Sequence, residues 1–136
     1  MNFVQIGAQS FANAKEHFEE LTDRGATVFT LDEVRKERIE KVLDLAYEIA
    51  SNSTERLYVS FDLDAVQGSE APGVSASYPS GLRADDLLKA AHFAGLRHKT
   101  KAIDIVEVNP KYDFDGRTSK LAAFVMMYFL AGVANR

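Results

Sequence analysis

Apolar runs alternate with amphipathic stretches along the whole chain. Residues 3–9 predict a strand. Residues 13–24 predict a helix that turns Phe18 and Leu21 inward and stops at Gly25. Residues 26–31 read as a second strand, and residues 34–50 as one long helix with Ile39, Val42, Leu43, Ala46 and Ile49 on one face, ended by Ser51-Asn52-Ser53. Residues 56–62 form a third apolar run. A Gly/Pro/Ser-rich loop over 64–81 follows, then a helix over 84–96 with Asp85 and Asp86 in its first turn. Residues 101–108 predict a fourth strand, which Pro110 stops. Thr118 is placed to cap a last helix that is apolar nearly all round, with Phe124, Met126, Met127, Tyr128 and Phe129 expected in the core.

Strands alternating with crossover helices predict an α/β fold, a parallel doubly wound sheet within a single domain over 1–136. Four strands are few for such a sheet, so the apolar last helix reads as a surface that expects more protein against it.

Composition narrows the reading. The chain has 136 residues, 46% hydrophobic and 26% charged, which is globular and long enough for a real core. A formal net charge of −4, with no Lys/Arg run, argues against nucleic acid as a partner. The absence of cysteine removes disulfides and thiolate metal sites and fits a reducing cytoplasm. Residues 121–134 are short for a membrane span, and no basic n-region follows Met1, so a soluble chain without signal peptide is expected.

The chemistry gathers at strand ends. Ser60-Phe61-Asp62-Leu63-Asp64 closes the third strand, and alternation along a strand projects Asp62 and Asp64 together, with Cα atoms about 7 Å apart. Glu107 ends the next strand. Carboxylates at the carboxyl ends of neighbouring parallel strands converge on the crevice where such sheets bind ligands, and oxygen donors suit a hard divalent cation. Asp-x-Asp can also merely cap a loop by accepting backbone N–H bonds. Asp104 points away from Glu107 and reads as a structural, hydrogen-bonded acid; Asn109-Pro110 reads as a turn that fixes Glu107. His17, His92 and His98 lack metal-ligand spacing and read as surface histidines.

Four segments, in this order and spacing, resemble the ureohydrolase family of arginases, agmatinases and formimidoylglutamases over nearly the whole chain. They are the Asp62-Leu63-Asp64 segment, Ala71-Pro72-Gly73, Asp104-Ile105-Val106-Glu107-Val108-Asn109-Pro110, and Asp115-Gly116-Arg117-Thr118-Ser119-Lys120-Leu121-Ala122-Ala123. The last is most similar to the formimidoylglutamase branch. The resemblance implies the C-terminal half of a formimidoylglutamase and the C-terminal part of an arginase-like three-layer fold. It also implies that Asp62 and Asp64 bind part of a manganese pair, and that Glu107 holds an amidino group of a small-molecule substrate. Arg117 is equally a candidate for a substrate carboxylate and for a surface ion pair. No residue is singled out as catalytic.

The implied reaction is hydrolysis of N-formimidoyl-glutamate to glutamate and formamide in histidine degradation. The family's Gly-Gly-Asp-His and Asp-Ala-His-x-Asp segments are absent, so the chain alone is expected to be inactive and to homo-oligomerise or need an N-terminal segment. The strand bearing the second segment would lie, in the family, between the strands of residues 56–62 and 3–9. Agmatinase- or arginase-like specificity is the alternative within the family. A non-catalytic, truncated assembly module, or a one-metal stabilising site of Asp62 and Asp64, is the alternative outside it.

Overall fold

The structure is a computed structural model that describes residues 2–12 and 14–136. Asn13, expected to open the first helix, lies outside the described residues. The chain forms two compact units, Met1–Glu55 and Arg56–Arg136.

In the first unit, β1 (Val4–Ala8) leads to α1 (Lys15–Asp23) and then to β2 (Thr27–Thr30), which pairs with β1 in parallel. α1 ends where Gly25 takes φ +81°, a left-handed turn that glycine adopts without steric cost. It buries no residue: of the two expected inward, Phe18 is exposed and Leu21 only half-buried. The expected long helix is two. α2 (Leu31–Glu37) starts earlier than the pattern implies, because Thr30 and Glu33 make a reciprocal capping box. Arg38 then adopts φ 67°, breaks the helical ladder, and α3 (Ile39–Ser51) begins anew. Leu31, Val34, Ile39, Val42, Leu43 and Ala46 form the buried centre, while Ile49 is exposed.

In the second unit, β3 (Leu57–Asp62) and β4 (Thr100–Val106) pair in parallel, with Ser60 opposite Asp104 and Asp62 opposite Val106. A 3₁₀ turn (Leu63–Ala65) follows β3; the connection then leads to α4 (Ala84–Leu96), and α5 (Arg117–Ala134) follows β4. The fold is α/β with parallel strands, but its strands make two two-stranded sheets rather than one continuous sheet. Phe61, Leu63, Val66, Ala71, Val74, Leu87, Ala91, Leu121 and Val125 form the core.

α4 and α5 approach closely through small residues. A Cβ at Gly95 would strike the Phe129 carbonyl, and one at Gly132 the His92 carbonyl. α5 therefore buries one stripe, Thr118, Leu121, Val125 and Gly132, with Phe129 half-buried beside it. Phe124, Met126, Met127 and Tyr128 are exposed, contrary to the core expected for them. An all-round apolar pattern records what a helix can bury; the second unit covers only one side. No helix among the described residues is long and apolar enough to cross a membrane.

The two sides of α5 should respond differently to substitution. Gly132→Val should cost about 1–3 kcal/mol in chemical denaturation by overpacking the α4–α5 contact. Met127→Lys should change stability by less than about 0.5 kcal/mol, and a loss well above that would mean that something covers this side.

Candidate metal and substrate site

The site grows out of the end of β3. Leu63 is fully buried and anchors the turn, leaving its two flanking aspartates at the rim. Asp62 is exposed, and its Oδ1 accepts the Asp64 backbone N–H at 2.9 Å, which bends the strand into the 3₁₀ turn. Asp64 is half-buried. Its Oδ1 has no exposed surface to speak of and no hydrogen-bond partner, while the Ala76 backbone N–H interacts with the carboxylate.

Glu107 stands one residue past Val106, the β4 partner of Asp62. Its φ of 69° ends the strand earlier than the apolar pattern implies and is a conformation a glutamate rarely adopts. The Asp64 carboxyl is held above the ordinary carboxylate range, first by burial, then by the negative charges of Asp62 and Glu107; the Ala76 N–H opposes this. Asp62, Asp64 and Glu107 thus share one neighbourhood and one negative field.

A buried, unpartnered carboxylate oxygen beside a second carboxylate is a donor arrangement that suits a divalent cation. It is only a partial set: among the described residues no group of three or more His, Cys, Asp or Glu could hold a metal ion. His17 is exposed and borders a cavity of about 270 Å³ in the first unit, with Gln5, Ser10 and Leu21. His92 is half-buried on α4, and His98 is exposed beyond it.

Arg117 sits at the start of α5 with its guanidinium engaged. Nε donates to Asp115 Oδ2 at 2.6 Å and NH1 to the Ser69 carbonyl at 3.0 Å. This pairing holds the Asp115 carboxyl below its usual range. Asp104 accepts from the Ser60 hydroxyl and from the Tyr58 hydroxyl, which together lower its pKa.

Thr118 does not cap α5. Gly116 takes that position, and Asp113 accepts the backbone N–H groups of Thr118 and Ser119 at 3.0 and 2.9 Å. The fully buried Thr118 hydroxyl instead accepts the Gly73 N–H at 2.8 Å, a bond across 45 residues that no local pattern announces.

The arginase family model matches residues 1–132. Formimidoylglutamase of Halalkalibacterium halodurans is 33% identical over 131 residues, which are 96% of this chain and 41% of that protein. The crystal structure of formimidoylglutamase from Bacillus subtilis superposes with a TM-score of 0.93 at 29% identity, covering 97% of this chain and 42% of that one. A Trypanosoma cruzi formiminoglutamase crystallised with Mn²⁺ matches at a TM-score of 0.92 and 27% identity, over 98% of this chain and 45% of that one. The chain therefore spans well under half the length of these relatives, and it belongs to the arginase family.

Proposed function

We propose that residues 1–136 form the C-terminal portion of a single arginase-like domain and supply part of a manganese-dependent hydrolytic site for a linear amidine. N-formimidoyl-glutamate, hydrolysed to glutamate and formamide in the cytoplasm during histidine degradation, is the proposed substrate. The observation that carries this reading is the buried, unpartnered Asp64 Oδ1 beside Asp62 and Glu107. The formimidoylglutamase relatives and the Mn²⁺-bound neighbour support it.

In this reading Asp62 and Asp64 hold the metal, which when bound polarises a water for attack on the amidine carbon. Glu107 takes the planar amidinium through two charge-assisted hydrogen bonds. Arg117 faces the substrate's carboxylates only as far as Asp115 shares it. The remaining donors come from a segment or partner outside this chain, so the isolated chain is inactive.

A second reading, a non-catalytic assembly module, draws on the exposed side of α5, where Phe124, Met127 and Leu130 are each about half exposed. Agmatinase- or arginase-like specificity remains the alternative within the family.

The test combines assay, metal content and solution mass on the 136-residue chain. With manganese, no turnover of N-formimidoyl-glutamate, agmatine or arginine and less than one tightly held metal per chain are expected. Turnover with stoichiometric metal would overturn the half-site. In a protein completed with the missing donors, hydrolysis of agmatine but not of N-formimidoyl-glutamate would overturn the substrate.

The raised Asp64 pKa sets a second expectation. The folded chain holds the Asp64 proton more tightly than the unfolded one, so ionisation disfavours folding, and stability is lost as pH rises through the folded pKa. Metal-free Asp64→Asn should be more stable than the parent at neutral pH and lose that advantage below about pH 4. Denaturation curves across pH check it, and saturating manganese should reverse the order by stabilising only the parent.

A further inference from the structure

The loop between β3 and α4 does more than connect them. Its residues 73–76 touch both carboxylate-bearing strand ends. The Ala76 N–H bonds the Asp64 carboxylate. Three residues earlier, the Gly73 carbonyl accepts the Asn109 N–H at 2.8 Å, and Ser75 Oγ accepts from Asn109 Nδ2 at 3.0 Å. Asn109 lies two residues past Glu107, and its own Oδ1 closes a turn onto the Lys111 N–H at 3.1 Å.

The loop is itself anchored from a third side by the buried Thr118 hydroxyl on Gly73 N–H. Gly73 has no room for a side chain there: a Cβ would run into Asp113, whose carboxylate accepts first-turn N–H groups of α5. Glu107, between Val106 and this junction, holds φ 69°, a conformation that a non-glycine residue keeps only where its surroundings enforce it.

Resting on the metal and amidine reading above, we propose that residues 73–76 are a strap that sets the separation between Asp64 and Glu107. Thr118 and Asn109 are its positioning residues. The strap couples the groups physically: Gly73 and Ser75 grip the exit of β4, and Ala76 grips Asp64. Neither Thr118 nor Asn109 touches substrate in this assignment. They act by fixing where the amidine-binding carboxylate stands relative to the metal-binding one.

The test uses the 136-residue chain with Thr118→Val, Thr118→Ser and Asn109→Ala. NMR reads amide exchange at Gly73 and Ala76 and the Glu107 HN–Hα coupling without metal, then line broadening of the Asp64 and Glu107 amides by added Mn²⁺. Thr118→Val and Asn109→Ala should each speed Ala76 exchange by roughly five- to tenfold, the equivalent of about one lost hydrogen bond. Both should take Glu107 out of positive φ and change its broadening relative to Asp64, while Thr118→Ser restores the parent pattern. Faster exchange confined to Gly73, with Ala76 and Glu107 unmoved, would overturn the strap and leave Thr118 a packing residue. Absence of Mn²⁺ broadening at Asp62 and Asp64 in the parent would overturn the metal reading instead, and the metal-free exchange and coupling would still decide the strap.

Discussion

A leucine with no exposed surface separates the two aspartates of the candidate site, and the second unit depends on how it is buried. Leu63 enters a core built by α4, α5 and the loop residues Val66, Ala71 and Val74. Fixing Leu63 fixes the turn, and fixing the turn leaves Asp62 in water and Asp64 half out of it. Burial of an apolar side chain of this size stabilises by about 1.5–3 kcal/mol. That gain offsets the cost of desolvating a neighbouring carboxyl that lies in the field of two others.

That cost has a direction. An unpartnered buried oxygen destabilises a fold unless something arrives to satisfy it. The Asp64 Oδ1 is such an atom, and the shared negative field of Asp62 and Glu107 favours positive charge beside it, whether a proton on Asp64 or a bound cation. Under the metal reading proposed above, metal affinity and folding are linked, because an ion would satisfy the oxygen that folding leaves unpartnered. Two carboxylates at one strand end and a third at the next give oxygen donors only, so a metal that also takes imidazole would draw those ligands from beyond this chain.

Much of this was legible in the residue pattern, and the failures share a cause. The helix Ala84–Leu96 is readable to the residue, because acidic residues open it and an apolar face runs through it. The end of β3 is readable because Asp-x-Asp interrupts an apolar run. Glu107 is readable as a strand end, though not as a left-handed residue, since a positive φ at a glutamate has no local sequence signal. The capping box of Thr30 and Glu33 was present in the sequence as Thr-x-x-Glu, and it locates the start of α2 better than the hydrophobic pattern does. The break at Arg38 carries no such signal. Thr118 next to a helix start looks like a cap, yet its hydroxyl bonds a glycine in a different loop. Periodicity reports which positions are apolar and which turns are local. Partners dozens of residues away, and whatever covers an apolar face, are set by packing.

The uncovered side of α5 belongs to the same argument. A parallel sheet is ordinarily covered on both faces and seldom stops at two strands. Here each sheet has two strands, and α5 leaves a row of large apolar residues in water. Relatives that superpose closely on this chain extend over more than twice its length. The two-stranded sheets and the open helix face express one shortage: the described residues bury only part of what this sequence makes apolar. The carboxylate geometry does not share that shortage. Its anchors, from the Leu63 core to the Thr118–Gly73 bond, lie wholly within the second unit, so that unit positions these carboxylates by itself.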